Sequence, residues 1–156
     1  MTPRERIDAG DTIQILMPWP PSVNGYWRSI IRGVGKNAYA VQILSADARE
    51  YIETAYRACY SQSMIDLFDD RRVSLDMHFH PKRRGCDIDN FTKGLFDAMS
   101  KAKVWKDDKQ VIVANKRFRK PISGGLIVLY ARLANQDDLD MLETTEVDPA
   151  ASSGLW

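Results

Sequence analysis

Two aspartates one residue apart, followed by a lysine, are the residues with the clearest potential for chemistry. Asp87 and Asp89 stand in the stretch "KRRGCDIDNFTKG" (82–94), and Lys93 follows four residues after Asp89. Two carboxylates at i and i+2 of an extended segment can point the same way, so both can face one ion. Mg²⁺ takes such hard oxygen ligands and usually keeps waters or phosphate oxygens on its other positions. The spacing is therefore compatible with a magnesium site.

The same residues also fit a structural role at the start of a helix. An aspartate before or in the first turn accepts backbone N–H groups and complements the helix dipole, which stabilises by ~0.5–2 kcal/mol. Lys93 fits either an i,i+4 ion pair with Asp89, worth only ~0.2–0.5 kcal/mol, or a cation beside a reacting phosphate. These three residues alone leave the helix cap and the metal site as alternatives.

A second pair of carboxylates, Asp107 and Asp108, follows the helix predicted after the first pair. Cations flank this pair and continue on the next predicted strand: Lys101, Lys103, Lys106, Lys109, Lys116, Arg117, Arg119 and Lys120. Carboxylates that hold a metal, surrounded by cations that bind a phosphate backbone, suit a metal-dependent nuclease.

The charge distribution also favours a polyanionic partner. All 22 Lys and Arg residues lie in residues 1–132, whereas six of the 21 acidic residues follow Leu133. A basic body of this kind suits nucleic acid, although it is also compatible with a protein that is merely soluble. The two cysteines, Cys59 and Cys86, have no metal-ligand spacing, which argues against a zinc site or a disulfide framework and favours a reducing cytoplasm.

The sequence contains no membrane or export signal. The stretch "MTPRERIDAGD" lacks the apolar region of a signal peptide, and no apolar run approaches the ~20 residues of a spanning helix. We therefore expect a protein without a membrane partner. Residues 1–11 are predicted to be a flexible N-terminal extension, residues 12–133 one globular domain, and residues 134–156 an acidic, disordered tail.

The apolar pattern outlines the elements that position the candidate site. Alternation in "VSLDMHFH" (73–80) predicts a half-buried strand that leads into the first acidic pair, and residues 13–17 predict another strand. Helices are predicted after Ser45 and after Asp89. The strands "VIVANKRFRK" and "LIVLYARL" are joined by "PISGG", which predicts a hairpin. The fold class is thus α/β (α+β), with a small mixed β-sheet packed with two main helices.

Residues 22–36 are predicted to form a loop, because Asn24-Gly25 has turn chemistry. Tyr26 and Trp27 lie in this segment beside Arg28. Their rings suit stacking on exposed bases as well as simple packing against the protein body.

Three blocks of the sequence closely resemble the RusA family of Holliday junction resolvases, which are small enzymes of phages and prophages. These blocks are "LMPWPPSVNGYWR" (16–28), "CDIDNFTKGLFDAMSKA" (86–102) and "VWKDDKQV" (104–111), and they occur in the family's order and roughly its spacing. With the intervening elements, the resemblance covers residues 12–133.

The resemblance implies a homodimer that binds four-way junction DNA and makes paired, symmetric nicks with Mg²⁺, or with Mn²⁺ in its place, in recombination and repair. The products would carry 5′-phosphate ends, and the work would take place in the cytoplasm of a bacterial host, with a phage or prophage origin. A two-fold symmetric dimer would present two equivalent sites to the junction. A nuclease that also cuts forks or flaps, and an inactive junction-binding protein, are the alternatives.

The resemblance also implies roles for individual residues. The metal ligands would be Asp87, Asp89 and Asp108, with Lys93 as the essential lysine of the catalytic set. Because the family's ligand matches the second member of the Asp107-Asp108 pair, Asp107 is interpreted as a helper or a cap rather than a ligand. The residues expected to contact DNA are Ser22, Asn24, Arg28, Lys82, Arg83, Arg84, Asn90 and Lys93.

Overall fold

A computed structural model describes residues 1–144 of the 156-residue chain. The helices and strands are α1 (Pro3–Asp8), β1 (Ile13–Pro18), α2 (Val23–Tyr26), β2 (Trp27–Arg32), β3 (Tyr39–Leu44), α3 (Ala46–Ser61), β4 (Val73–His80), α4 (Asp89–Lys101), β5 (Val111–Phe118), β6 (Leu126–Leu133) and α5 (Gln136–Glu143). In this part of the chain, no helix has the length and apolar character needed to cross a bilayer.

Four strands form one mixed sheet in the order β1-β6-β4-β5, and β2 and β3 form a separate two-stranded ribbon. All pairs in the four-stranded sheet are antiparallel except β4 and β5, which run parallel. Helix α4 makes the crossover between these two parallel strands, as such a connection requires. The predicted fold class, a small mixed sheet with two main helices, α3 and α4, is confirmed.

The predicted hairpin of the last two strands is wrong, because β4 lies between β5 and β6. The connecting segment instead crosses the end of β4, where Ile122 donates its backbone N–H to the Pro81 carbonyl at 3.0 Å. A turn-forming composition is local and does not specify which strands pair. Strand β6 is buried at Ile127, Val128 and Leu129, on both faces in succession, and such a strand is stable between two neighbours.

One face of the sheet carries the core. Val73, Leu75, Met77 and Phe79 of β4 are each at most 1% exposed and pack under the two main helices, so the predicted alternation is confirmed. Helix α3 begins where Ser45 Oγ accepts the Ala48 N–H at 3.0 Å. The opposite face carries polar side chains such as Asp76, His78 and Arg132, beside the buried Val128.

Residues 1–11 were expected to be flexible, but they contain the ordered helix α1. Thr2 and Glu5 form a reciprocal capping box, and Arg71 donates to Asp8 at 2.6 Å. Ile7 is fully buried in the core. The segment has a single buried apolar residue, so its sequence has no amphipathic stripe, and docking onto the domain stabilises the helix.

Ile7→Ala should destabilise the protein by about 2–5 kcal/mol, because it removes a buried side chain and leaves a cavity. The free energy of unfolding, measured in urea, tests this expectation. Ile31→Ala is the matched control, since Ile31 is 77% exposed and should change stability little. Equal effects of the two substitutions would mean that α1 does not dock in solution.

The expected disorder of residues 134–156 is also wrong for its first part. Asn135 caps α5 in a second capping box, and Arg132 donates to the Asp138 carboxylate at 2.6 Å, which lowers the pKa of Asp138. The remainder of the predicted tail, residues 145–156, lies outside the described residues.

Candidate active site

The first acidic pair lies in a tight turn at the start of α4. Ile88 has helical dihedral angles, φ −63° and ψ −34°, so the stretch is not extended as predicted. The Asp87 carboxylate instead accepts the backbone N–H of Asp89 at 3.1 Å. Asp87 therefore does stabilise the helix start, while both side chains remain solvent-exposed.

Asp89 is paired with a lysine that sequence spacing did not indicate. Lys116 Nζ lies 3.0 Å from Asp89 Oδ1, and the Asp89 side chain is 77% exposed. Lys116 reaches it because β5 runs parallel beside β4, with Lys116 opposite Met77. An exposed pair of this kind contributes little stability. Its effect is to hold a cation next to the acidic turn.

The i,i+4 ion pair between Lys93 and Asp89 does not form. Within residues 1–144, no carboxylate oxygen lies within 4 Å of Lys93 Nζ, which instead lies 5.9 Å from the centroid of the Trp27 ring. The ammonium group is thereby held by a cation–π contact and still faces solvent.

Lys93 and Asp108 line the same cleft, which has a volume of about 290 Å³. The sequence-predicted catalytic residues thus fall into two groups, with Asp87 and Asp89 in the turn and Lys93 and Asp108 in the cleft. The other lining residues are Tyr26, Trp27, Asp97, Ser100, Lys106 and Asp107. An ammonium group beside carboxylates in an open cleft is suited to a phosphate group and a cation together.

The second acidic pair divides into a cap and an exposed carboxylate. Asp107 accepts the Lys109 N–H at 2.9 Å, and this bond lowers the pKa of Asp107. Gln110 completes the box by accepting the Asp107 N–H at 2.9 Å. The interpretation of Asp107 as a cap is confirmed, and Asp108 is left exposed on the turn Asp108–Gln110.

Gln110 is a positioning residue that sequence reasoning missed. It is 7% exposed and donates to the carbonyls of Asp69 and Arg71 at 2.8 and 2.9 Å. These bonds fasten the turn that carries Asp108 to the preceding loop. The spacing of Asp107 and Gln110 is a local signal of the capping box, but nothing near Gln110 in the sequence indicates its bonds to the distant carbonyls.

Tyr26 packs against α4 and does not stack in solvent. It is 1% exposed, and its hydroxyl donates to Asp97 Oδ2 at 2.5 Å. Gly94 makes room for it, since a Cβ there would lie 3.1 Å from the ring. Asp97 also pairs with Lys101 at 2.8 Å. Asp97 was not predicted as a site residue, although its i,i+4 spacing from Lys93 was a signal.

Tyr26→Phe should lower stability by about 1–3 kcal/mol at pH 7, because it leaves Asp97 without this donor. Burial first, and the Asp97 contact second, raise the pKa of Tyr26 well above its usual range. The unfolded chain releases this proton near pH ~10, so wild-type stability falls as the pH rises above that value. The variant should lose less stability than wild type between pH ~10 and ~11.5.

Urea unfolding at several pH values measures this difference. Tyr60→Phe is the control, because the Tyr60 ring is 69% exposed and stacks only on Tyr56 among the described residues. A Tyr26→Phe curve parallel to that of wild type would contradict the assigned contact.

The residues predicted to contact DNA lie on several surfaces. Lys82 lines a cleft with Trp19 and the neighbouring prolines, whereas Arg84 lines a 310 Å³ cleft with Phe118, Arg119 and Lys120. The basic loop therefore presents cations in two directions, and Arg83 in it is exposed. Asn24 and Arg28 are exposed, while Ser22 and Asn90 are half-buried.

The predicted metal ligands fit Mg²⁺ by donor type, since all are exposed carboxylates. Among residues 1–144, however, no three Asp, Glu, His or Cys side chains converge on one point. Asp87 and Asp89 are neighbours, and the structure does not bring Asp108 into one cluster with them.

Comparisons with known proteins agree with the resemblance seen in the sequence. A family described as Endodeoxyribonuclease RusA matches residues 18–128. The crossover junction endodeoxyribonuclease of Enterobacteria phage 82 is 36% identical over 103 residues, 65% of this chain and 78% of the relative. Its counterpart in Escherichia coli K12 is 35% identical over the same shares. That of E. coli O139:H28 is 31% identical over 116 residues, 74% of this chain and 88% of the relative.

Proposed function

The chain belongs to the RusA family of endodeoxyribonucleases, and from this we propose that it resolves four-way DNA junctions by paired, symmetric nicks that depend on Mg²⁺. The relatives described above are named crossover junction endodeoxyribonucleases. The observation that carries the proposal is the exposed acidic turn at the start of α4, together with Lys93 one helical turn further on, which lines a cleft with Asp108.

The residues of the chain have separable roles in this proposal. Asp87 and Asp89 would hold the ion, with Asp108 as a third ligand. When bound, Mg²⁺ supplies neutralising charge at the phosphate and lowers the pKa of a bound water. Lys93 stabilises the charge that develops on the phosphate oxygens. Lys82, Arg83 and Arg84, in the exposed loop that precedes the acidic turn, would bind the DNA backbone.

The three carboxylates do not converge in the described residues. The proposal therefore requires the ligand set to close when the ion and the phosphate enter together. Each aspartate is exposed and can change its side-chain rotamer without breaking the core. Because Mg²⁺ commonly keeps waters or phosphate oxygens, the carboxylates present would not have to supply its full ligand set.

We further propose a homodimer, because two equivalent sites related by a two-fold axis match the symmetry of a four-way junction. The enzyme would then act on recombining or branched DNA in the bacterial cytoplasm, with products that carry 5′-phosphate ends.

The decisive experiment uses a labelled four-way junction, a fork, a flap and a linear duplex of matched sequence. Each is incubated with the protein in Mg²⁺, in Mn²⁺ and in EDTA, and the nicks are mapped on all strands. Symmetric nicks restricted to the junction, sealed by ligase and abolished by EDTA, are expected. Cutting of forks and flaps at the same rate would favour the broader nuclease, and binding without cutting would favour an inactive junction-binding protein.

A further inference from the structure

The ribbon of β2 and β3 stands apart from the four-stranded sheet and exposes large apolar side chains. Within residues 1–144, the two strands pair only with each other, from Trp27 opposite Leu44 to Arg32 opposite Tyr39. Near the tip, Ile31 is 77%, Val34 89% and Tyr39 60% exposed. A two-stranded ribbon is marginal in water by itself. Exposed apolar groups at its end therefore indicate a surface that a partner covers.

The apolar groups lie on both faces of the ribbon. Ile31 is opposite Ala40 and Tyr39 is opposite Arg32, so the register places Ile31 and Tyr39 on opposite faces. Val34 projects from the turn between them. A surface that packs on one partner face would need apolar groups on one side only. Apolar groups on both sides suit insertion between two flat surfaces.

The turn at the tip is built tightly. Gly33 has φ +86°, and a Cβ there would lie 2.3 Å from the Asn37 carbonyl oxygen. Val34 accepts the Asn37 N–H at 3.3 Å, and Gly35 accepts the Ala38 N–H at 3.2 Å. The ribbon thus presents Val34 in a defined position.

The charge of the ribbon identifies the chemistry of its partner. Residues 12–46 contain Arg28, Arg32 and Lys36 and no acidic residue. None of the three cations lies within 4 Å of a carboxylate in residues 1–144, where the ion pairs form elsewhere. A second copy of the same ribbon would place like charges together, which is unfavourable. DNA is a polyanion whose base pairs have flat apolar faces, so it matches both the positive charge and the exposed apolar side chains of the ribbon.

The base of the ribbon is fastened to the helix of the candidate site. Ser45 donates its N–H to the Tyr26 carbonyl at 3.0 Å and its hydroxyl to the Gly25 carbonyl at 2.6 Å. Tyr26 is in turn bonded to Asp97 of α4, and Trp27 lies under Lys93. Six residues at ~3.3 Å each place the tip up to about 20 Å from this base.

We propose that the ribbon tip is an apolar wedge that inserts between base pairs at the branch point of the junction, with Ile31, Val34 and Tyr39 as its contact residues. Apolar side chains of other DNA-binding proteins separate base steps in this way. At the branch point, the last base pair of each arm can expose one face, so that inserting a side chain there does not require the full free energy of unstacking two base pairs. This inference rests on the proposed function, and it explains why the protein would prefer a junction to linear duplex. In this arrangement Arg28, Arg32 and Lys36 bind the phosphates that flank the wedge.

The test uses a four-way junction with 2-aminopurine at the branch point, in EDTA so that it stays uncut. Binding of wild type should raise 2-aminopurine fluorescence, because the base loses its stacking partner. The double variant Ile31→Thr/Val34→Thr keeps β-branched side chains and should bind without the rise. Its preference for the junction over linear duplex should fall about tenfold. Far-UV circular dichroism checks that the variant folds.

Two further variants separate the wedge from simple phosphate contact. Arg32→Gln should weaken binding to the junction and to the duplex equally. It should also lower the slope of log K against log salt concentration by about 0.9, because one phosphate contact is lost. Tyr39→Ser should reduce the fluorescence rise, whereas the control Tyr60→Ser, at a similarly exposed ring, should not.

The outcomes distinguish the wedge from the function on which it rests. If wild type cuts the junction selectively and the double variant keeps both the fluorescence rise and the selectivity, the wedge alone is wrong. Loss of dimer in sedimentation of the double variant would assign the tip to a second copy instead. If wild type shows no preference for the junction, the proposed function fails, and the wedge with it.

Discussion

Asp89→Asn is expected to reduce junction cutting by at least about 100-fold while the variant still binds the junction. A metal ligand contributes several kcal/mol to charge stabilisation in the transition state, and ~2.7 kcal/mol corresponds to that factor. The amide keeps the size of the side chain and its place in the turn. The chemistry is therefore lost without a change in the fold.

The structure adds an expectation for binding. Asp89 holds Lys116 at 3.0 Å, so the amide leaves this lysine without its carboxylate. The local charge becomes more positive, and junction affinity in EDTA should stay equal or increase. Stability should change by less than about 1 kcal/mol, because the Asp89 side chain is 77% exposed.

The measurement is single-turnover cutting of a labelled junction in Mg²⁺, together with anisotropy binding in EDTA. Glu53→Gln is the matched control, since Glu53 is 64% exposed and paired only with Arg57 among the described residues. It should leave both quantities unchanged. Normal cutting by Asp89→Asn would show that the metal assignment is wrong.

Lys93→Ala should lower the cutting rate by about 10²–10³-fold with little loss of stability. One preorganised donor at a developing oxyanion is worth about this factor. Among the described residues, the polar contact that the fold loses is the one between the ammonium group and the Trp27 ring, 5.9 Å away. A cation–π contact at an exposed site contributes ~0.5–1 kcal/mol. Junction binding should weaken only by the loss of one phosphate contact.

Lys101→Ala tests whether any lysine on α4 would have the same effect. Lys101 lies two turns further along the helix and pairs with Asp97 at 2.8 Å. Its removal costs a comparable ~0.3–0.5 kcal/mol, and cutting should be unchanged. Equal loss of activity in both variants would indicate a general charge effect. Loss of more than about 2 kcal/mol in Lys93→Ala alone would assign Lys93 a structural role.

Local patterns were sufficient for the elements that carry the site. The alternation of residues 73–80 indicated β4 and its buried face, because side chains of a strand alternate between core and solvent. The helical spacing of apolar residues likewise predicted α4. The division of the second acidic pair came from the resemblance, and the structure shows Asp107 as the cap and Asp108 as the exposed carboxylate.

Several features of the candidate site could not be predicted, since they depend on residues that are distant in the sequence. Lys116 pairs with Asp89 only because β5 lies parallel to β4 beneath the start of α4. Tyr26 is buried only because Gly94 leaves space against α4. The cleft shared by Lys93 and Asp108 forms where α4 meets the turn that Gln110 fastens.

The sequence by itself determined the family, the candidate catalytic residues, and the class of fold, because these depend on residue types, spacing and periodicity. Only the tertiary structure decided that β6 lies between β1 and β4 and that α1 is ordered around Ile7. It also decided that residues 27–44 form a ribbon, although residues 22–36 were predicted to be a loop. Strand order and docking follow from which apolar surfaces are buried together, and that choice is made by the whole chain.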